Sequence, residues 1–147
     1  MSAIHGKNTY ISVTTLSPAP TGAHDISPYC DTSAFNYVRD SHDLTTYGQD
    51  GHVYGGGLTN HSFSCGGKYD TSTTAGPRAI FGPLMSATGE QLVSVTRRVE
   101  GTGSGKPEET FNALLTGFVE TSPVADYVTW SADFQVSGSV TRTTQGA

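Results

Sequence analysis

The sequence predicts a mainly β, single-domain protein, a sandwich or barrel carrying one short helix. Three observations point there. From Tyr127 to Val136 the residues alternate strictly. Val128, Trp130, Ala132, Phe134 and Val136 share one face, and Tyr127, Thr129, Ser131, Asp133 and Gln135 share the other. That period belongs to a half-buried antiparallel strand. Thr, Ser and Gly are abundant while Lys, Glu and Leu are scarce, which disfavours long helices. The length of 147 residues, with no internal repeat or low-complexity tract, predicts one β-sandwich domain over residues 1–147.

In chain order, Thr9 to Leu16 is the first expected strand. Ser17 to Cys30 follows as a long polar connection bearing Gly and Pro. Phe35–Val38 and His52–Tyr54 are weaker strand candidates. A second long connection, Ser41 to Leu58, contains the latter, and connections of this length usually carry function. Ser62 to Asp70 alternates again, with Phe63, Cys65 and Tyr69 on one side. A helix is expected from Pro77 to Gly82: Pro suits the first helical position, Ile80 and Leu84 have i,i+4 spacing, and Pro83 would end or kink it. Gln91 to Val99 and Thr110 to Glu120 are strands joined by a Gly-rich turn. In the latter, Phe111, Ala113, Leu115 and Val119 form one face, while Leu114 and Phe118 lie on the other, so both sides are expected to be covered. Trp130 and Phe134 are assigned to the core.

Charge excludes some functions. Eight Lys and Arg stand against 13 Asp and Glu, for a net charge of −5, which argues against gripping a phosphate backbone. No apolar run approaches the length of a membrane span. The segment Met1 to Lys7 has no apolar stretch, so no secretory signal is expected. Charged residues are only 14% of the chain, too few to solvate a lone surface well. Much of that surface is therefore expected to be covered by copies of the chain or by a partner. Cys30 and Cys65 do not make a disulfide framework and read as reduced, small buried hydrophobes.

Tests for chemistry fail one after another. Gly101-Thr102-Gly103-Ser104-Gly105-Lys106-Pro107 invites a phosphate-loop reading. The spacing would need Gly where Glu100 stands and Ser or Thr where Pro107 stands, so a hairpin turn is expected instead. His42, Asp43, Asp50 and His52 lie close in sequence but match no zinc signature, and no metal or cofactor is expected. There is no Gly-x-Ser-x-Gly elbow and no paired-carboxylate arrangement, so no catalytic residue is assigned and the chain is not expected to be an enzyme. Asn60-His61-Ser62 has the form of a glycosylation sequon and is read as chance.

An ordered series of short signatures remains. It runs from His5-Gly6-Lys7-Asn8-Thr9 through Asp43-Leu44-Thr45-Thr46-Tyr47-Gly48, Tyr54 with Gly55 to Leu58, and Tyr69-Asp70. It continues through Gly76-Pro77-Arg78-Ala79, Gly103 to Pro107, Ser122-Pro123-Val124-Ala125-Asp126 and Val136-Ser137-Gly138. Over nearly the whole chain this series resembles the tail tube (major tail) proteins of tailed bacteriophages. The resemblance implies two packed antiparallel sheets with a short flanking helix. It implies hexameric rings that stack into a hollow conduit, one sheet of each subunit joining its neighbours edge to edge around the lumen. A long loop between early strands would reach the adjacent subunits, and it falls at Ser41 to Leu58. The expected inter-subunit contact residues are Asp43, Thr45, Thr46, Tyr47, Gly48, Tyr54, Gly57 and Leu58.

The partners so implied are further copies of the chain and other tail or head proteins, with no membrane. DNA would pass without specific binding. The location would be the virion tail, with assembly in the bacterial host cytoplasm. Ring closure suits the residues, because pairing the unpaired edges of a half-buried sheet removes their tendency to aggregate. An acidic chain also predicts that Asp and Glu outnumber Lys and Arg on lumen-facing positions, so that phosphates are repelled. The alternative is a capsid decoration protein of a tailed phage, which would share the low charge and the obligate partners.

Overall fold

The computed structural model describes residues 2–15, 22–72, 76–86 and 92–146. Its strands are β1 (Tyr10–Thr15), β2 (Gly22–Asp25), β3 (Thr32–Asn36), β4 (Arg39–Asp43), β5 (Tyr54–Thr59), β6 (Ser62–Lys68), β7 (Leu92–Arg98), β8 (Pro107–Thr121) and β9 (Thr129–Thr144). One helix, α1 (Pro77–Ser86), and two short 3-10 turns complete the described elements. The strands form two antiparallel sheets, a seven-stranded one ordered β2-β1-β7-β8-β9-β6-β3 and a two-stranded one, β4-β5.

All five expected main strands are present. Leu16 and Gln91, the outer ends of two of them, lie outside the described residues. β9 opens at Thr129 instead of Tyr127 and runs on to Thr144. Its second half was not expected because it holds a single apolar residue after Val136, namely Val140, and is secured by main-chain pairing to β8. Phe35–Val38 becomes Thr32–Asn36, with Tyr37 and Val38 leaving the ladder. His52–Tyr54 is corrected to Tyr54–Thr59, a strand through three glycines whose lack of side chains hid it. The helix continues through Pro83 to Ser86. Pro83 does not end it, because Leu84 beyond it is buried with Ile80 and Phe81, and that burial outweighs one missing backbone bond.

The long strands β8 and β9 serve two layers. β7 pairs with β8 only over Arg97↔Glu109 to Leu92↔Leu114, and β6 pairs with β9 only over Thr129 to Gln135. One layer is therefore β2, β1, β7, the first half of β8 and the second half of β9. The other is the end of β8, the first half of β9, β6 and β3. The layers face each other across one core. Phe63 of the second layer lies 5.6 Å from Phe111 of the first, edge to face, and Phe35 lies 5.0 Å from Phe111. Of two irregularities in the β8–β9 register, the one between Thr110 and Asn112 lies within the first layer, and the one between Leu115 and Gly117 marks where the strands pass from layer to layer. The second one also corrects a face assignment. Past Leu115 the pattern slips by one, so Phe118 packs near Phe81 and Trp130 while Val119 points to solvent.

Two elements close the sandwich. Phe81 of α1 sits 5.8 Å from Trp130 and 5.7 Å from Phe134. Elsewhere the chain from Ile26 to Asp31 crosses between β1 and β6. Ser27 Oγ accepts from the Ile11 N–H at 2.7 Å, Asp31 N–H donates to the Gly66 carbonyl at 2.9 Å, and the Trp130 indole donates to the Tyr29 carbonyl at 3.1 Å. The crossing needs glycine beneath it, since a Cβ on Gly67 would collide with the Tyr29 carbonyl. Cys30 and Cys65 are free thiols at this crossing, and a hydrogen bond between them, together with burial, pushes Cys65 well above the ordinary thiol value. At the rim below β3, Arg97 Nη1 meets Glu109 Oε1 at 2.6 Å and Arg142 Nε lies 3.8 Å from Glu109 Oε2. The two guanidinium groups also cover the rings of Phe35 and Tyr37.

Phe134 is 2% exposed and packs against the rings of Phe63 in β6 and Phe81 in α1. Phe134→Ala is expected to cost about 3–5 kcal/mol in urea unfolding. Burial of Glu109 raises its pKa above the ordinary 4.5, partly opposed by Arg142. A raised folded pKa makes this group's titration favour the fold most below 4.5, and that contribution is lost as pH rises through the folded value. Glu109→Gln is expected to remove this part of the pH dependence, as measured by urea unfolding across the acid range.

Candidate functional site: a projecting hairpin

β4 and β5 form a hairpin that leaves the core between β3 and β6, and nearly every residue in it is exposed. The sequence suggested a loop over Ser41 to Leu58. It is instead a ladder, with Ser41↔Gly56, His42↔Gly55 and Asp43↔Tyr54 opposed. Its base is fixed to the core. Val38 N–H donates to His61 Nδ1 at 3.0 Å, and the Gln135 amide donates to Asn60 Oδ1 at 2.6 Å and to the His61 carbonyl at 3.0 Å. The Asn60 side chain is thus occupied within the fold.

The tip is built by short polar side chains. Asp43 Oδ1 accepts from the Thr45 N–H at 2.9 Å and from the Thr45 hydroxyl at 2.6 Å, and these bonds hold its carboxyl below the usual range. Thr45 Oγ1 in turn accepts from the Val53 N–H at 2.8 Å, and Gln49 Oε1 accepts from Thr46 N–H at 3.0 Å. Gly48 has φ +87°, a left-handed turn position that favours glycine. Of the eight expected contact residues, Asp43, Thr45, Thr46 and Gly48 therefore shape the tip. Tyr47, fully exposed, and Tyr54 and Leu58, 62% and 82% exposed, present apolar surface. Gly57 has another use. A Cβ there would come within 2.7 Å of His42 Nε2, just as one on Gly55 would come within 2.7 Å of Leu44 Cδ1. The β4 side chains lie flat across a bare β5, which keeps the hairpin thin.

Sequence reasoning missed Leu44 and Val53 at the tip, and Val124 and Tyr127 in the turn between β8 and β9, all exposed. Apolar residues set among turn-forming neighbours were the available signal.

The other candidates resolve into structure. Gln145 fills the Gly-rich turn between β7 and β8, accepting from the Gly103 N–H at 3.0 Å and donating to the Gly101 carbonyl at 2.8 Å. At least one amide of the suspected phosphate loop is thereby already used. His52 lies 3.6 Å from Asp43 at the hairpin surface. Among the described residues no group of three or more His, Cys, Asp or Glu is placed to hold a metal ion. No helix among them is long and apolar enough to cross a membrane.

No protein-family model matches the chain, and no curated protein sequence does. Solved structures do. The chain superposes on a protein from the tail of an empty gene transfer agent particle refined with C6 symmetry, with a TM-score of 0.72 and 14% identity, covering 96% of this chain and 99% of that one. It superposes on the SPP1 tail tube with a TM-score of 0.73 and 13% identity, covering 99% of this chain and 81% of that one. The chain has the tail-tube fold. A protein of an extracellular contractile injection system, from its sheath/tube terminator, matches at a TM-score of 0.66 and 11% identity, over 97% and 98% of the two chains. At these identities the likeness rests on architecture. In this version of the tail-tube fold the two layers share β8 and β9, and the exposed hairpin stands at the position assigned to the long inter-subunit loop.

Exposed side chains add little to folding. Tyr47→Ser together with Leu58→Ser is expected to change the unfolding free energy by less than about 0.5 kcal/mol, read from urea midpoints. A large loss would mean that the hairpin supports the core.

Proposed function

We propose that this chain is a subunit of a tailed-phage tail tube, in which rings of identical copies stack into a hollow conduit for DNA. The observation that carries the reading is the hairpin. A sandwich with a filled aromatic core also extends a thin ladder bearing Tyr47, Tyr54, Leu44 and Leu58 into solvent. A monomer gains nothing from exposing tyrosine and leucine on a rigid projection, whereas aromatic anchors on a projection suit an interface. The tip is held by its own hydrogen bonds, so little ordering entropy is lost on docking. The partner is a second copy of the chain, with other tail or head proteins at the ends of the assembly.

The low charge supports the same role. With 14% charged residues and a net charge of −5, the chain lacks the cationic surface that would hold a phosphate backbone. DNA would pass without a specific site. The work is mechanical, with no bond-making step, and its place is the virion tail after assembly in the host cytoplasm. Likeness to tails and tubes favours this reading over capsid decoration.

Tyr47→Asp is expected to abolish ring and tube formation by the purified protein in negative-stain images, while circular dichroism shows an unchanged fold. Particles of normal length from this variant would remove the hairpin from the assembly mechanism.

A further inference from the structure

Both cysteines of the chain meet at the crossing from Ile26 to Asp31, although β3, β4 and β5 lie between them in sequence. Side chains alternate along β6, so Phe63, Cys65 and the bare Gly67 share the core face. Glycine at 67 lets the crossing settle on that face. The Tyr29 carbonyl occupies the place of a Cβ there, and the Asp31 N–H reaches the Gly66 carbonyl. Cys30, held between these two anchors, is brought against Cys65, and the two thiols share a hydrogen bond.

The two sulfurs differ in access. Cys65 is 3% exposed. Cys30 is partly exposed and lines an open recess of about 490 Å³ with His5, Lys7, Thr9 and Ser27. The hydrogen bond to Cys30, together with burial, keeps Cys65 protonated well above the ordinary thiol range. A reagent from solution therefore meets Cys30 first, with Cys65 behind it. A reachable thiol backed by a buried one is the arrangement of an attacking and a resolving cysteine.

We propose that Cys30 and Cys65 form a redox latch, which a low-molecular-weight disulfide oxidises to an intramolecular disulfide once the chain leaves reducing surroundings. The Cys30 thiolate attacks one sulfur of the reagent, forming a mixed disulfide and expelling a thiolate. The Cys65 thiol gives its proton to that thiolate, and its sulfur attacks Cys30 Sγ. The second thiolate leaves and takes up the proton that Cys30 released. The protein gives up two electrons and two protons, and the reagent becomes two thiols. The new bond closes a ring of chain around β3, the β4–β5 hairpin and the start of β6. β3 is the weak member of that ring, because it pairs with β6 alone. A pull on the hairpin opens this pairing from Asn36↔Ser62 towards Thr32↔Gly66, and the latch stands at the far end. Reduced chain stays pliant while it folds, and oxidised chain holds the root of the hairpin. The thiol chemistry is independent of the tube reading, and only the origin of the pull rests on it.

The test uses purified full-length protein incubated with oxidised glutathione, against reduced glutathione as the control. Mass spectrometry and maleimide counting should find the oxidised chain as a monomer lacking two hydrogens, with both thiols lost and no glutathione attached. Its unfolding equilibrium constant in urea should fall at least about a hundredfold relative to the reduced chain. Cys65→Ala should instead accumulate a glutathione adduct on Cys30. Cys30→Ala should stay unmodified, with the same urea midpoint in both buffers. The unsubstituted chain decides the matter even where a variant fails to fold. Two free thiols after oxidation, a stable glutathione adduct or a disulfide-linked dimer overturns the latch. A Cys30–Cys65 disulfide that leaves the unfolding constant unchanged overturns its stabilising role. Failure of the same samples to form rings counts against the tube reading and leaves the latch standing.

Discussion

Two strands have to belong to two sheets at once, and the rest of the molecule is arranged around that constraint. β8 and β9 are long enough to pass from one layer to the other, but a straight pleated pair could not bury both halves against a single core. The irregularity at Leu115/Gly117 solves this by turning the strands and switching which residues point inward. With the switch made, Phe111 packs from one layer onto Phe35 and Phe63 of the other, and Phe118 becomes available to Phe81 of the helix. α1 and the crossing at Ile26 to Asp31 then cover what the two layers leave open.

This explains what could be read in the sequence. The layer arrangement was legible wherever burial imposes a period of two, as in Trp130, Ala132, Phe134 and Val136 or Phe63 and Cys65. It became illegible where the constraint is met by backbone. The slip after Leu115 put Val119 outside and Phe118 inside, against the continuous alternation, because a bulge carries no reliable side-chain signature. The second half of β9 was hidden for a related reason. It pairs through its main chain along β8 with little to bury. Pro83 shows the opposite error, where a strong local rule yielded to the burial of Leu84.

The hairpin was singled out as an expected contact region and read as a loop, for an equally physical reason. Strand patterns are seen through side chains, and β5 has three consecutive residues without any. Its polar partner β4 offers no apolar face to mark it. The eight expected contact residues all fall on this hairpin, yet they divide between shaping the tip and presenting surface. Only hydrogen-bond geometry separates Asp43 and Thr45 from Tyr47 and Leu58.

The bare β5 also has a mechanical side. A ladder strand of Gly55, Gly56 and Gly57 resists deformation less than one stiffened by branched side chains, since glycine explores more backbone conformations. The flanking core, filled with interlocked rings, is rigid by comparison. A filament whose subunits touch through such hairpins would flex at its glycines and leave its sandwiches undistorted. In the proposed tube, curvature would then cost bending energy only at the joints, and the bore would keep its width.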